Sequence, residues 1–95
     1  MVNVKVNYYE AAREATGKRS EVIAISAGYT LKEVIYTLVE RYGEPLSGYM
    51  LGEDGEPADY LTYFVEGINI HSLRGFDTEL KDGNKVVIAS TIVGG

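Results

Sequence analysis

The stretch from Lys85 to Thr91 constrains the fold of this chain more than any other. It is dominated by β-branched and apolar residues, which predicts a β-strand. Val86 and Ile88 would point to one face of a sheet, and Val87 and Ala89 to the other. A strand that is apolar on both faces is typical of the middle of a sheet. We therefore expect this strand to be central and to lead directly into the last four residues of the sequence.

The main helix is predicted at residues 30–42. Thr30 and Glu33 have the spacing of a capping box, and Gly43 and Pro45 favour an end to the helix. Between them, apolar residues recur at intervals of three and four, which places them in one stripe: Leu31, Val34, Ile35, Leu38, Val39 and Tyr42. We expect this helix to cover one face of the sheet.

Three further segments predict strands. Residues 2–7 alternate between valine and polar side chains, residues 21–26 carry two isoleucines on one face, and Leu61–Val65 is rich in β-forming residues. Residues 10–15 predict a short helical turn between the first two strands. Because this connection is short, the first two strands are expected to be antiparallel.

The order of these elements predicts an α+β fold of the β-grasp, or ubiquitin-like, class. Glu66-Gly67 predicts a tight turn into a short returning strand at 68–70. The sheet would be mixed, mostly antiparallel, with four to five strands. Its first and last strands can pair in parallel if both are central, since their connection contains the main helix. Residues 1–91 would form this domain, and residues 92–95 a flexible tail.

Length and charge narrow the classes of function. The 95 residues suffice for one domain, and 14 acidic and 9 basic residues give a net charge of −5. This balance disfavours nucleic acid as a partner and allows docking onto a basic protein surface. No apolar stretch is long enough to span a membrane, and the N-terminus lacks the layout of a signal peptide. We expect no membrane partner and a cytoplasmic location.

The terminal Gly94-Gly95 pair has the clearest chemical meaning. Glycine has no Cβ, so such an end can be threaded through a narrow channel into another protein's active site. The alternative is a frayed terminus without a role. Cysteine is absent, which excludes disulfides, thiolate metal sites and a cysteine nucleophile. If the protein handles sulfur, the Gly95 carboxyl group would have to carry it.

No segment predicts a catalytic or metal site inside the chain. His71 is the only histidine, which argues against a catalytic dyad or a histidine-based metal site. The acidic residues Glu53, Asp54, Glu56 and Asp59 lack the spacing of a calcium loop. We expect the chain to bind no metal and no cofactor of its own.

Five segments share a pattern with one known family. They are Tyr8–Gly17, Thr30-Leu31, Phe64–Gly67, Gly75–Val86 and the terminal Gly94-Gly95. On these residues the chain resembles the small sulfur carriers typified by the small subunit of molybdopterin synthase (MoaD) and the thiamine sulfur carrier (ThiS). It departs from them at Ser90-Thr91, where many molybdopterin synthase small subunits have two prolines, which would stiffen the tail.

The resemblance implies that the chemistry takes place at Gly95. An adenylating enzyme of the ubiquitin-activating type would use ATP and magnesium to convert its carboxylate into an acyl-adenylate. Sulfur from a donor protein would then replace AMP and give a thiocarboxylate. As the small subunit of molybdopterin synthase, the chain would present this sulfur to the large subunit, with Ile92, Val93 and Gly94 threaded into that partner. The chain would be a non-catalytic carrier, and the catalytic groups would belong to its partners.

The resemblance also implies docking through an exposed apolar patch on the sheet. By position, Tyr9 and Ala89 are candidates for this patch, with Phe64 and Phe76 as further candidates; each of the four is equally compatible with the core. Other functions remain open on the same architecture. They are a protein modifier conjugated to lysines of target proteins through Gly95, a sulfur carrier for thiamine or tRNA thiolation, and a binding module without C-terminal chemistry.

Overall fold

The computed structural model describes residues 1–58 and 61–90 and contains one mixed five-stranded sheet. The strands are β1 (Val2–Tyr8), β2 (Ser20–Ile25), β3 (Leu61–Val65), β4 (Ile68–Asn69) and β5 (Lys85–Ser90). Their spatial order is β2-β1-β5-β3-β4. β5 pairs in parallel with β1 and antiparallel with β3, and the remaining pairs are antiparallel. The predicted β-grasp arrangement is confirmed, including the central place of the last strand.

The two faces of this sheet have different surroundings. Alternate side chains of the three inner strands are at most 5% exposed and form the sheet's part of the core: Val4, Val6, Tyr8, Leu61, Tyr63, Val65, Val86 and Ile88. The residues between them point to the other side, where Val87 and Ala89 of β5 are only half-buried. β5 is thus apolar on both faces, as predicted, but the described helices cover only one. We call the other side, which carries Lys5, Phe64 and Val87, the open face.

The main helix, α2 (Leu31–Tyr42), packs on the covered face. Its start is capped by Glu33, whose Oε1 accepts the Thr30 N–H at 2.8 Å. Its end is closed by the Gly43 N–H, which donates to the Val39 carbonyl at 2.8 Å. Four of the six predicted stripe residues are fully buried: Leu31, Val34, Ile35 and Leu38. The predicted helix is confirmed, with Thr30 as its cap.

Two shorter helices complete the covering layer. α1 (Glu10–Thr16) is the helical turn predicted after the first strand; it ends at Gly17, whose φ of +73° suits glycine. It packs against β5 and against α3 (Glu44–Met50). α3 has no counterpart among the predicted elements, because Pro45 and Gly48 both weaken a helical pattern. Pro45 lies in the first turn, where its missing N–H is not needed.

The remaining connections agree with the predicted turns. Glu66 and Gly67, with φ of +53° and +77°, form the tight turn between β3 and β4. The returning strand is shorter than predicted and continues as a 3₁₀ turn over Ile70–Ser72, and a second 3₁₀ turn follows at Gly75–Asp77. None of the described helices is long and apolar enough to cross a membrane.

Glu21 links the edge strand β2 to the main helix. Its side chain is 10% exposed and forms ion pairs with Lys18 at 3.3 Å and Arg41 at 3.1 Å. Its carboxylate also accepts hydrogen bonds from the Tyr8 hydroxyl, at 2.6 Å, and from the Tyr42 hydroxyl. Burial by itself would raise the pKa of Glu21, but the hydrogen bonds from Tyr42, Tyr8 and Lys18 hold this pKa below its ordinary value. The ionised carboxylate therefore connects β1, β2 and α2.

We expect the Glu21→Gln variant to lose about 1–3 kcal/mol of unfolding free energy near neutral pH, because a charged acceptor of several hydrogen bonds is removed. The folded state holds the pKa of Glu21 below its unfolded value. The stabilisation is therefore present above the unfolded pKa, about 4.3, and is lost as the pH falls through the folded pKa. Urea denaturation followed by circular dichroism should show the gap between wild type and variant narrowing in acid. The exposed Glu40→Gln on α2 is the control, and an equal loss in both variants would contradict this role.

Candidate functional site

The residues predicted to react and to enter a partner lie outside the described residues. They are Ile92, Val93, Gly94 and Gly95, and the predicted domain boundary at residue 91 lies there too. Their roles stay predictions. The structure instead shows the surroundings of Ser90, the last residue of β5, which the chain passes on its way to the tail.

The end of β5 lies between the end of β1 and the start of β3. On one side, Tyr8 is beside Ile88, and the Tyr9 N–H donates to the Ile88 carbonyl at 3.1 Å. On the other side, Thr62 is the partner of Ala89. Because β5 is central and parallel to β1, the chain leaves the sheet beside Tyr9 and the start of α1 rather than at a free edge.

Four apolar side chains lie next to this exit on the open face. Phe64 is the partner of Val87 in the β3–β5 pair, and the parallel register that joins Tyr8 to Ile88 continues to place Tyr9 beside Ala89. Phe64, Val87 and Ala89 are half-buried, and Tyr9 is 43% exposed. We call these four residues the exit strip. Contiguous apolar surface that stays accessible is a candidate for an interaction site.

The Tyr9 ring is held in place by Arg13. The guanidinium carbon lies 5.3 Å from the ring centroid, and Arg13 Nε donates to the Tyr8 carbonyl at 3.1 Å. The backbone turns sharply after Tyr9, since Glu10 has a φ of +52°, in the left-handed region that non-glycine residues rarely adopt. A side chain that is already held loses less conformational freedom when a partner docks.

Phe76 does not lie with the other three predicted docking residues. It packs against the core from the second 3₁₀ turn, and its ring meets that of Tyr63 edge-on at 5.3 Å. Tyr63 is 1% exposed and belongs to the covered face. The cause is the route of the chain before β5: the Leu31 N–H donates to the Thr78 carbonyl at 2.9 Å, which holds this connection to the start of α2. Phe76 therefore stabilises the core.

The exit strip contains one residue that the sequence did not single out as a docking residue, Val87. Strand alternation was the available signal, because residues 87 and 89 of one strand must share a face. Arg13 was also missed as the support of Tyr9. The signal for Arg13 is its position four residues after Tyr9 at the start of a helix, since side chains with this spacing lie close together.

The other residues considered as possible sites have structural roles. His71 is exposed, and its backbone N–H donates to Asn69 Oδ1 at 2.8 Å. In the acidic loop, Glu56 pairs with Lys32 at 2.7 Å, and Asp54 Oδ1 accepts the Glu56 N–H at 3.0 Å. Within residues 1–58 and 61–90, no group of three or more metal-ligating side chains is placed to hold an ion. Asp59 lies outside the described residues.

Comparison with known proteins shows which family and which relatives the chain is similar to. The model of the ThiS family matches residues 6–95. A protein of Archaeoglobus fulgidus named as a candidate sulfur carrier is 33% identical over 66 residues, 70% of this chain and 74% of the relative. Small archaeal modifier protein 3 of Haloferax volcanii is 26% identical over 94 residues, 99% of this chain and 100% of the relative.

One solved structure agrees over the full length. The small archaeal modifier protein 1 of Methanosarcina acetivorans has a TM-score of 0.81 and 27% identity, covering 100% of this chain and 98% of the other. The family match includes the end of β1, all the other strands and helices, and the terminal glycines. The chain therefore belongs to the ThiS family of ubiquitin-like proteins, and it is a protein of the sulfur-carrier and small-modifier type.

Proposed function

We propose that this chain carries sulfur as a thiocarboxylate on Gly95 and acts as the small subunit of molybdopterin synthase. The observation that carries the proposal is the parallel pairing of β5 with β1, because of which β5 ends beside Tyr9 and the exit strip. A tail that leaves beside an accessible apolar surface can enter a partner while that surface docks. Membership of the ThiS family supports the sulfur chemistry. The five motif segments are shared with the small sulfur carriers, of which the small subunit of molybdopterin synthase is one.

The chemistry must first make the Gly95 carboxylate reactive, because a carboxylate repels nucleophiles and its oxygen is a poor leaving group. In the proposed route, a carboxylate oxygen attacks the α-phosphorus of ATP, pyrophosphate leaves, and an acyl-adenylate forms. Sulfide then attacks the carbonyl carbon and AMP leaves, which gives the thiocarboxylate without any change of oxidation state. ATP, magnesium and the acid–base groups belong to the activating enzyme.

The chain itself contributes the reacting group at Gly95 and limits how far that group can reach from the sheet. Gly95 lies five residues beyond Ser90, and a fully extended segment of that length reaches at most about 18 Å. The partner's reacting centre must therefore lie within that depth of the surface that docks on the exit strip. Docking and threading together convert an encounter between two molecules into a reaction at a fixed site.

Intact-mass spectrometry tests the proposed carrier state. After incubation with the activating enzyme, MgATP and sulfide, the chain should gain the mass that corresponds to replacement of one oxygen by sulfur. The chain without Gly94-Gly95 should keep its mass and its circular dichroism spectrum, because both residues lie beyond β5. In a molybdopterin-deficient strain, the full chain should restore activity and the truncated chain should not. Equal complementation by both chains would count against the proposal.

A second candidate function is protein modification through the same adenylate. The observation that favours it is the full-length similarity to two small archaeal modifier proteins, at 26% and 27% identity. A lysine amine of a target would then take the place of sulfide and form an isopeptide bond with Gly95.

Peptide mass spectrometry distinguishes a protein modifier from a sulfur carrier. Lys85 is the last basic residue of the chain, so trypsin should leave residues 86–95 attached to a modified lysine rather than a Gly-Gly remnant. Digests of cells that express the chain should contain this ten-residue branch if it is a modifier, and cells that lack the chain serve as the control. Absence of the branch would exclude modification and leave the carrier proposal intact.

Substitutions of Tyr9 and Phe76 should separate docking from folding. Tyr9→Ala should raise the KM of the activating enzyme for this chain about tenfold, as loss of an aromatic anchor does, and change the unfolding free energy by less than about 1 kcal/mol. Phe76→Ala should lower the unfolding free energy by about 2–3 kcal/mol and leave KM nearly unchanged. Urea denaturation and ATP–pyrophosphate exchange measure the two effects. A large stability loss in Tyr9→Ala with an unchanged KM would contradict the docking role.

A further inference from the structure

Two lysines on the open face differ from the paired basic residues of the molecule. The described ion pairs join basic residues of the helices and connections to nearby carboxylates: Lys18 and Arg41 to Glu21, Lys32 to Glu56, and Lys81 to Glu79. Five basic residues form no ion pair with any residue that the structure describes: Lys5, Arg13, Arg19, Arg74 and Lys85. Of these, only Lys5 and Lys85 lie in strands. Both are exposed. Their ammonium groups are therefore available to carboxylates of another molecule.

The two lysines are direct neighbours in the sheet. Lys5 of β1 is beside Lys85 of β5 in the parallel register. Like charges at such positions repel each other and lower the stability of the isolated protein. The only other charged residue within a described strand is Glu21, whose carboxylate is bound on the covered side by Tyr8 and Tyr42. The open face of the strands thus carries two positive charges, although the whole chain has a net charge of −5.

The acidic residues closest to this end of the sheet are held by backbone groups. Glu66 Oε2 accepts the Lys85 N–H at 2.6 Å, and Asp82 Oδ1 accepts the Asn3 N–H at 2.7 Å. These carboxylates weaken the long-range field of the lysine pair, so its effect on a partner should act at short range, through direct contact. They do not form ion pairs with the two ammonium groups.

The lysine pair lies at the end of β5 away from Ser90, two residues before Val87 of the exit strip. Lys85 begins β5 and Ser90 ends it, and a rise of about 3.3 Å per residue places the two about 16 Å apart. A partner that receives the tail and covers the open face would therefore meet the apolar exit strip first and then the two lysines, about 7 Å beyond Val87 along the strand.

We propose that the lysine pair, Lys5 and Lys85, binds carboxylates of the activating enzyme at the far side of the docking surface. The inference rests on the proposed function, and it applies equally to the carrier and to the modifier, because both require adenylation of Gly95. It differs, for this face, from the docking onto a basic surface that the net charge of the whole chain allows. It also supplies specificity, since an enzyme with a basic surface at this point would be repelled.

ATP–pyrophosphate exchange by the activating enzyme tests the inference with matched charge variants. The Lys5→Glu/Lys85→Glu chain should raise KM about tenfold or more with kcat nearly unchanged, because like charges then meet at the interface. The Lys32→Glu/Lys81→Glu chain has the same change in net charge and should stay within about twofold of wild type. The Lys5→Arg/Lys85→Arg chain should retain the wild-type KM. Thermal melts establish that each variant is folded.

Salt dependence gives a second readout that a structural role would not change. The KM of the wild type should rise with sodium chloride, whereas that of the Lys5→Glu/Lys85→Glu chain should not. Equal KM values for the two double-glutamate variants, or a fall in kcat alone, would overturn the inference while leaving the proposed function in place. Absence of any exchange with the wild-type chain would overturn the proposed function and the inference with it.

Discussion

The parallel pairing of β1 with β5 is the interaction on which the rest of the structure depends. Two parallel strands cannot be joined by a tight turn, so the chain between them must cross over one face of the sheet. That crossover contains α2 and α3, and these helices bury the side chains of the covered face. The same pairing places the C-terminal strand in the centre, beside the start of α1. Core formation and the place where β5 ends are therefore consequences of one topological choice.

Because the described helices cover only one face of the sheet, the two sides of the protein differ in surface chemistry. Four basic residues of the helices and connections form ion pairs with carboxylates among the described residues: Lys18, Lys32, Arg41 and Lys81. The open face combines half-buried apolar residues with Lys5 and Lys85. The net charge is a property of the whole chain, and it therefore does not describe the charge of the open face. A partner must match the local arrangement of apolar and charged groups.

Much of the fold could be predicted because local and long-range signals agree. The capping box at Thr30, the apolar stripe of α2 and the two apolar faces of β5 each indicate the element that the structure contains. α3 could not be predicted, since its burial of Leu46 and Met50 is a tertiary effect that overrides weak helical propensity. Phe76 could not be placed either. Its position depends on the hydrogen bond between Thr78 and the start of α2, which sequence spacing does not reveal.

Some parts of the candidate site could be predicted from the sequence and others could not, because they depend on different kinds of information. Tyr9 and Ala89 follow from strand register and the point of exit, whereas the support of Tyr9 by Arg13 depends on the sharp turn at Glu10. The choice between sulfur and lysine as the acceptor depends on groups that the chain does not contain. A lysine amine has a pKa of about 10.4 and is almost wholly protonated near neutral pH, while a thiol with a pKa of about 8.5 is partly ionised. An adenylate on Gly95 would thus react more readily with sulfur unless a partner deprotonates and positions an amine, so modification requires catalytic help that sulfur transfer does not.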